Sequence, residues 1–247
     1  MNLIILPAHR IWSRGSTVVG PAAATYDAND LCDGSSSQMV RGDGTTQAWT
    51  MTFPDVGDVS LIAMINASTV DVDVVISGGV STTLDANPER PNGLRRNPYA
   101  YFATVAGVSA ITATITGNTA GIPTIGEFVA GLASEFERHP AESERESYAH
   151  AMARSDDYDF QPAEDLNAYG RTYAYTITVT RAGAEFLEEW EDGERAGSAG
   201  SLIVPDTDRN DARWGRLDRR IRLRRRGYDV FEATISHREF AMSRWVP

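Results

Sequence analysis

The chain has 247 residues, of which 42% are hydrophobic and 23% charged, a composition that excludes a wholly disordered or fibrous protein. Its formal net charge is −11, and all 23 basic residues are arginine, so the overall balance is opposite to that of a free-standing nucleic-acid-binding protein. A single cysteine, Cys32, excludes an internal disulfide and a multi-cysteine metal site. No apolar stretch has the length of a membrane span, so we expect no membrane insertion.

Residues 1–125 show the pattern of an all-β unit. Hydrophobic residues alternate with polar ones in residues 47–53, 69–77 and 108–117, and this period of two predicts half-buried strands. Residues 59–65 are apolar almost throughout, which predicts a strand buried on both faces. Several such strands without intervening helical patterns predict a jelly roll or β-sandwich.

Residues 134–165 are rich in Asp and Glu, a composition typical of a solvated connector. The sequence therefore predicts a mainly β protein of three parts. These are a jelly-roll-like β-sandwich domain at residues 1–135, an acidic connector at residues 136–165, and a smaller belt-like or tube-like β-sandwich or barrel at residues 166–247.

The C-terminal part begins with alternating residues 172–180, which predict a strand. A flanking helix is predicted over residues 181–192, because Phe186, Leu187 and Trp190 form an apolar stripe, and Gly193 is the expected stop. Further strands are predicted at residues 201–204, 217–223 and 228–235. Gly227 lies between the last two, which favours a hairpin.

No catalytic motif is present, so the sequence predicts a protein that is not an enzyme and has no cofactor, catalytic residue or metal ligand. The four histidines, His9, His139, His150 and His237, lack metal-site spacing. Calcium could bind the carboxylates of residues 27, 30 and 33, but turn formation is the favoured interpretation of these aspartates.

Eight arginines and only one acid, Asp218, lie within residues 213–226, and the predicted helix is strongly acidic. Opposite charges of this kind predict an interface in which the basic strand of one copy meets the acidic element of the next. A solvated surface is the second interpretation. Nucleic-acid contact is not expected, because only Trp214 and Tyr228 supply aromatic rings nearby. The interface candidates are Arg213, Arg216, Arg220, Arg222, Arg224, Glu188, Glu189 and Glu191.

Several short motifs follow one another along the chain in a distinctive order. They are a strand at residues 2–6, the turn Leu31-Cys32-Asp33-Gly34, the Trp49 strand, residues 61–66, the Val-rich residues 70–76, and Ile125-Gly126-Glu127 followed by Gly131. This order resembles a module common in tail proteins of long-tailed bacteriophages. Periodicity alone allows a helix over residues 125–136, and the resemblance favours a strand in its first half. Residues 202–206 and 214–217 look similar to late strands of tail-tube-like or belt-like domains.

The resemblance implies a virion structural protein of the distal tail or tail tip (baseplate), assembled in the host cytoplasm. Its partners would be other tail proteins and copies of itself in a ring, expected to be a hexamer, that links the tail tube to the host-adsorption apparatus. The alternative is a carbohydrate-binding jelly-roll module that contacts a host-surface glycan. Tyr99, Tyr101 and Phe102, in a Pro- and Arg-rich segment expected to be a loop, are the candidate glycan contacts.

Overall fold

The computed structural model describes residues 2–33, 40–68, 72–77, 79–84, 97–118, 121–137, 144–150, 169–195, 200–206 and 211–240. Within these residues the chain forms sixteen β-strands, one α-helix and two short 3₁₀ turns, which confirms the predicted mainly β class. The helix is α1 Arg181–Arg195, and the 3₁₀ turns are Ala8–Arg10 and Ala28–Cys32. The strands are β1 Asn2–Leu6, β2 Thr17–Val19, β3 Val40–Arg41, β4 Gln47–Ile65, β5 Val72–Ile76, β6 Val80–Leu84, β7 Tyr99–Ile115, β8 Thr124–Ile125, β9 Glu127–Gly131, β10 Ser134–Glu137, β11 Glu144–His150, β12 Tyr169–Val179, β13 Ser201–Asp206, β14 Asp211–Leu217, β15 Arg222–Arg225 and β16 Phe231–Glu239.

The first sheet has six strands in the order β2-β4-β7-β5-β6, with β9 on the outer side of β4. The strands predicted at residues 47–53 and 59–65 are the two ends of β4, a single strand of 19 residues. Register shifts between Thr52 and Leu61 let this strand bend while it keeps β7 as its antiparallel partner. The predicted residues 69–71 lie outside the described part of the chain, and β5 begins at Val72.

The second sheet has eight strands in the order β10-β1-β13-β14-β16-β12-β11, with β15 beside β16. The first strand of the chain therefore belongs to the C-terminal sheet, because β1 pairs with β10 on one side and β13 on the other. This corrects the expected unit at residues 1–135. The jelly-roll unit is inserted into the second sheet between β1 and β10, and residues 2–6 are part of that sheet.

The acidic connector expected at residues 136–165 falls largely outside the described residues, which omit 138–143 and 151–168. The described part does not form a separate linker. β10 extends to Glu137, and β11 pairs antiparallel with β12 from Glu144↔Tyr175 to His150↔Tyr169. Alternation within β10 places polar residues 135 and 137 outward, so acidic composition here belongs to strands of the sheet.

Three buried clusters form the core, and the third joins the two sheets. On β1, Leu3 and Ile5 face the cluster beneath α1, while Ile4 and Leu6 face the junction cluster. β4 also contributes to two clusters, because Ile62 faces the jelly-roll core while Leu61 and Ala63 face the junction cluster. The apolar run at residues 59–65 is therefore buried on both faces, as predicted, because a strand between two layers has no solvent face.

Helix α1 packs Phe186, Leu187 and Trp190 into the second core, as its apolar stripe predicts. The expected stop at Gly193 is wrong, since the helix continues to Arg195. A Cβ on Gly193 would lie 2.8 Å from Nδ1 of His9, so the glycine gives His9 room against the helix. No helix in the described residues is long and apolar enough to cross a membrane.

The predicted strand at residues 217–223 is interrupted. β14 ends at Leu217 and β15 starts at Arg222, because the backbone N–H of Ile221 leaves the sheet and donates to Oε2 of Glu191 at 2.9 Å. The predicted hairpin is present, with Arg222 opposite Thr234 and Arg225 opposite Phe231. Tyr228 lies in its turn and is 94% exposed, so it is not a strand residue as expected.

Candidate functional site

Arg213, the first interface candidate, is a core residue. It is only 6% exposed, and its guanidinium carbon lies 3.6 Å from the ring centroid of Tyr173. Its Nη1 donates to the hydroxyl of Tyr175 at 2.6 Å. The alternation of β14 turns Arg213 toward the second sheet's aromatic residues, where it binds within its own chain. Arg213 is therefore not available at the surface, and its prediction as an interface residue is wrong.

The other arginines of residues 213–226 divide into two groups, those with partners inside the chain, which include Arg219 beside Asp218 at 3.3 Å, and those without an ion pair. Arg216 is half-buried, and Arg225 and Arg226 brace the β15–β16 turn by binding the carbonyl oxygen of Gly227 and the carboxylate of Glu232 at 2.9 and 2.6 Å. The second group is exposed and has no ion pair with any described residue. It consists of Arg220, Arg222 and Arg224.

The acidic candidates on α1 are partly engaged inside the chain. Glu189 pairs with Arg10 at 3.0 Å, and Glu191 accepts the Ile221 N–H, whereas Glu188 is exposed. The acidic helix thus lies beside the basic segment of the same molecule, where the sequence predicted contact only between copies. An open cleft of about 390 Å³ separates them, lined by Glu188, Glu191, Asp192, Arg220, Ile221 and Leu223.

The aromatic residues proposed to contact glycan lie on strand β7 and not in a loop. Tyr99 is only 7% exposed and belongs to the junction core, and Phe102 packs against the jelly-roll core. Tyr101 alone keeps a substantial exposed fraction, 36%. Its neighbours 85–96, the Pro- and Arg-rich segment, lie outside the described residues.

The hydroxyl of Tyr101 donates to Oε2 of Glu135 on β10 at 3.2 Å. The side-chain amide of Asn2, on β1, donates to the other oxygen of the same carboxylate. Side chains from β1, which precedes the inserted unit, and from β7, which lies within it, therefore hold one carboxylate on β10, which follows it. Burial and then the charge of Glu135 raise the pKa of Tyr101, so its hydroxyl stays protonated and able to donate.

Glu135 stands at the rim of a groove of about 510 Å³, here called the Glu135 groove. Its floor is apolar, because Val179 and Phe186 are buried and the ring of Phe136 lies 5.3 Å from that of Phe186. Its rim carries exposed carboxylates and hydroxyls. The lining residues are Ser134, Glu135, Phe136, Glu137, Thr178, Val179, Thr180, Ala182, Gly183 and Phe186.

Gly183 shapes the groove where α1 begins. A Cβ at this position would lie 2.9 Å from Cβ of Val179 and 3.2 Å from Cε1 of Phe136. The missing side chain lets the first turn of α1 approach the end of β12 and the β10 strand. The amphipathic helix therefore closes one end of the groove without filling it.

A buried Ser/His/Glu set lies beneath α1. The Ser201 hydroxyl donates to Oε1 of Glu194 at 2.6 Å and lies 3.4 Å from Nε2 of His237. Ser201 and His237 are completely buried, and burial followed by the charge of Arg213 lowers the pKa of His237 to about 3. A substrate has no access to these groups, so their arrangement binds α1 to the sheet and does not form a nucleophile–base pair.

The remaining histidines and aspartates show no converging site in the described part of the chain. His9 packs against Gly193, His139 lies outside the described residues, and His150 is in β11. Oδ1 of Asp27 accepts the backbone N–H of Asn29 at 2.9 Å, which is the turn role that the sequence favoured for it.

No protein-family model matches the chain, and no curated protein matches it either. Among solved structures, a chitosan-binding module from Paenibacillus sp. IK-5 is 13% identical, covering 50% of this chain and 100% of that module with a TM-score of 0.41. A Streptococcus pneumoniae fucose-binding module is 10% identical, covering 49% and 97% with a TM-score of 0.40. A family 32 carbohydrate-binding module from Clostridium perfringens, in complex with galactose, is 16% identical, covering 53% and 99% with a TM-score of 0.39. At these identities and TM-scores, none of the three likenesses bears on what this chain binds.

The sequence did not identify Asn2, Glu135 or the groove as a site. Glu135 and Glu137 were counted only as part of an acidic stretch. The alternation Ser134-Glu135-Phe136-Glu137 is the signal that could have separated them from a solvated connector, because it predicts a short strand with both carboxylates on one face. The pairing of Glu135 with Tyr101 and Asn2 depends on contacts more than 30 residues apart and has no local signal.

Proposed function

We propose that this chain is a carbohydrate-binding protein and that its binding site is the Glu135 groove together with Tyr101, which bonds Glu135 beside it. One observation carries the proposal: Tyr101 and Asn2 hold the Glu135 carboxylate at the edge of an open groove that combines polar rim and apolar floor. A fixed acceptor beside such a groove is what a ligand rich in hydroxyl groups requires.

The chemistry of the lining side chains matches a sugar. Carboxylates such as Glu137 accept hydrogen bonds from sugar hydroxyls, and the hydroxyls of Thr178 and Thr180 can donate or accept. The apolar C–H face of a sugar ring can lie against the exposed part of the Tyr101 ring. Sugars of one or two rings fit a groove of about 510 Å³.

Charge selects among sugars. The groove rim carries Glu135 and Glu137, and the whole chain has a net charge of −11. A uronic or sialic acid would meet repulsion from these carboxylates, whereas an amino sugar would be attracted. The proposed ligand class is therefore a neutral or amino-sugar glycan.

The proposal also states that the protein binds a sugar without hydrolysing it. Each Glu135 oxygen already accepts a hydrogen bond from the chain, so this carboxylate is held as an acceptor. Glycoside hydrolysis requires a pair of carboxyl groups, one of which delivers a proton to the leaving oxygen, and Glu137 is the other carboxyl group among the described residues that line the groove. A reducing-end assay on any bound oligosaccharide tests this part of the proposal, and product release would contradict it.

Isothermal titration calorimetry on the full chain tests binding, with galactose, fucose, chitosan oligosaccharides and polygalacturonate as probes. We expect binding of at least one neutral or amino-sugar probe and none of polygalacturonate. Tyr101→Ala and Glu135→Gln should each weaken that binding by about tenfold or more, because the first removes a donor that holds the fixed acceptor and the second replaces the acceptor carboxylate itself.

Tyr26→Ala is the matched control, since Tyr26 is 41% exposed and lies outside the groove. It should bind the probes as the unmodified chain does. The proposal is overturned if no probe binds at millimolar concentration, or if Tyr101→Ala and Tyr26→Ala weaken binding equally.

A second candidate is the distal-tail structural protein that the motif order implies. Its supporting observation is the insertion of the jelly-roll unit between β1 and β10, with the shared junction core. The jelly-roll unit is connected to the second sheet at both of its ends and shares a core with it, so its orientation is fixed. A ring subunit that presents a binding module needs such a fixed orientation. Cryo-EM of virions tests it. A fixed number of copies per tail supports this role, and absence from the particle refutes it.

A further inference from the structure

Strand β15 has one free edge. It pairs antiparallel with β16 on one side, and no other strand in the described residues pairs with it on the second side. The N–H of Arg226 donates to the carbonyl oxygen of Val230 at 2.8 Å, and this closing bond fixes the alternation of the hairpin. The backbone N–H and C=O groups of Leu223 and Arg225 therefore point away from β16.

The backbone of Ile221 supports this direction. Its N–H lies on the same edge, two positions before that of Leu223, and it donates to Glu191 of α1 instead of to a strand. Past Ile221, no hydrogen-bond partner among the described residues meets the outward groups of Leu223 and Arg225. Two donors and two acceptors are thus available to an extended segment that adds to the sheet.

The two faces of β15 carry different side chains. Arg222 and Arg224 lie on the face away from α1, and both are exposed without an ion pair to a described residue. Leu223 is half-buried on the other face, where it lines the cleft beside α1. An added segment is therefore favoured if it has acidic residues opposite the arginines and an apolar residue between them.

Residues 156–160 have this pattern. They read Asp-Asp-Tyr-Asp-Phe and lie outside the described part of the chain. We propose that this segment of a second copy binds the free edge of β15 as an added antiparallel strand. Three pairs of opposite charge and one apolar pair then form across the two strands, and such pairs stabilise a sheet. The pairs are Asp159 with Arg222, Tyr158 with Leu223, Asp157 with Arg224, and Asp156 with Arg225.

The segment comes from a second copy because the same chain is too short to reach. His150, at the end of β11, pairs with Tyr169 at the start of β12. Arg225 lies beside Phe231, which pairs with Val179 at the other end of β12. The 11 residues of β12 separate these two levels by about 33 Å. The chain from His150 to Asp156 adds about six residues, which span at most about 22 Å when fully extended.

The arginines of β15 also restrict what can pair with it. An antiparallel contact between two β15 edges would place arginines against arginines, and their repulsion disfavours it. A shift of the acidic segment by one residue would turn Tyr158 toward the arginines and bring carboxylates into the cleft beside Glu188. Charge and side-chain alternation therefore favour one register.

Disulfide cross-linking of full-length chains tests both the binding and the register. Arg222 and Asp159 would form a non-hydrogen-bonded pair, whose Cα atoms lie about 4.5 Å apart, within the range of a disulfide. The native Cys32 is buried and does not compete. We expect the Arg222→Cys and Asp159→Cys variants, mixed under oxidising conditions, to form a covalent dimer of twice the chain mass.

The matched control is Arg222→Cys mixed with Asp73→Cys, an exposed acid on β5 of the jelly-roll unit, and this mixture should give only the background of random collisions. A chain that carries both Arg222→Cys and Asp159→Cys should form the bond only between molecules. Absence of the covalent dimer, equal cross-linking in the control, or an internal disulfide in the monomer would each overturn the proposal.

A synthetic peptide of residues 153–162 tests the binding without added cysteines. Fluorescence anisotropy should show that it binds the full chain, and that Arg222→Glu/Arg224→Glu weakens this binding by about tenfold or more. A peptide with Asp157→Arg and Asp159→Arg should prefer that variant to the unmodified chain. Equal binding of the original peptide to both chains would contradict the proposal. Sugar binding is measured independently, so either proposal can fail while the other stands.

Discussion

Nε of Arg14 lies 4.0 Å from a carboxylate oxygen of Glu127, and the Glu127 side chain is completely buried. Neither oxygen of Glu127 has a hydrogen-bond partner among the described residues. Burial outweighs the attraction of Arg14 and raises the pKa of Glu127 from 4.5 to about 8. Arg14 has other partners, since Nη2 donates to the carbonyl oxygen of Gly200 at 3.0 Å.

Glu127→Gln should stabilise the protein at pH 7. The folded-state pKa of Glu127 lies above its unfolded value, so its contribution is fully present below about pH 4.5 and is lost as pH rises through about 8. Glutamine removes that loss, and we expect a gain of about 1–3 kcal/mol in the free energy of unfolding at pH 7. Urea denaturation measures it.

The same comparison at pH 4.5 is the control for Glu127→Gln. The carboxyl is neutral there in the folded chain and about half neutral in the unfolded chain, so most of the gain should disappear. A variant that is destabilised at pH 7 would show that the Arg14–Glu127 ion pair is charged and stabilising.

His237 should make the fold less stable in acid. Its folded-state pKa of about 3 lies below the unfolded value of 6.5, so its contribution is present above pH 6.5 and is lost as pH falls toward 3. Thermal unfolding between pH 7 and pH 4 should show this fall, and His237→Gln should reduce the slope. In an NMR titration the His237 ring should not titrate between pH 7 and pH 5, whereas titration near 6.5 would contradict the prediction.

Gly131→Ala should destabilise the protein strongly. A Cβ at Gly131 would overlap the backbone carbonyl oxygen of Arg10. At this point the chain segment that leads into the jelly-roll unit lies beside the segment that leads out of it. Backbone atoms cannot yield as a flexible side chain can, so we expect a loss of about 2–4 kcal/mol by chemical denaturation. Gly44→Ala is the control and should change stability little, because its nearest neighbour is 3.5 Å away.

Glu194→Ala should also destabilise the fold, by about 2–4 kcal/mol. Glu194 accepts hydrogen bonds from Nε1 of Trp190, the Ser201 hydroxyl and the Leu217 backbone N–H, and so ties α1 to β13 and β14. Removing it takes away the acceptor that these three donors share. Glu188→Ala, on the exposed face of the same helix, should be near neutral in the monomer. Equal effects of the two substitutions on thermal unfolding would refute the assignment.

The sequence predicted the elements well where the pattern is local. The strands around Trp49 and Ile177, and the helix built on Phe186 and Trp190, follow from side-chain periodicity. Its errors occur where another element intervenes. Glu191 draws the Ile221 N–H out of a strand, and His9 packs against Gly193 where the helix continues beyond its expected end. Neither partner is close in sequence.

The candidate sites were less predictable. Arg213 and Arg222 look alike as members of an arginine-rich segment, yet one stacks on Tyr173 in the core and the other is exposed. Glu135 becomes a site only because Tyr101 and Asn2 reach it from β7 and β1. Charge patterns locate ionised residues but do not show which of them are already paired inside the chain.

Composition and periodicity alone determined that this is a mainly β protein with one helix, because alternating side chains and an apolar stripe are properties of adjacent residues. The tertiary structure alone decided that β1 joins the C-terminal sheet, that the jelly-roll unit is inserted, and which charges remain at the surface. Those outcomes depend on strand pairings and ion pairs between residues far apart in the chain, and such contacts form only when the layers pack together.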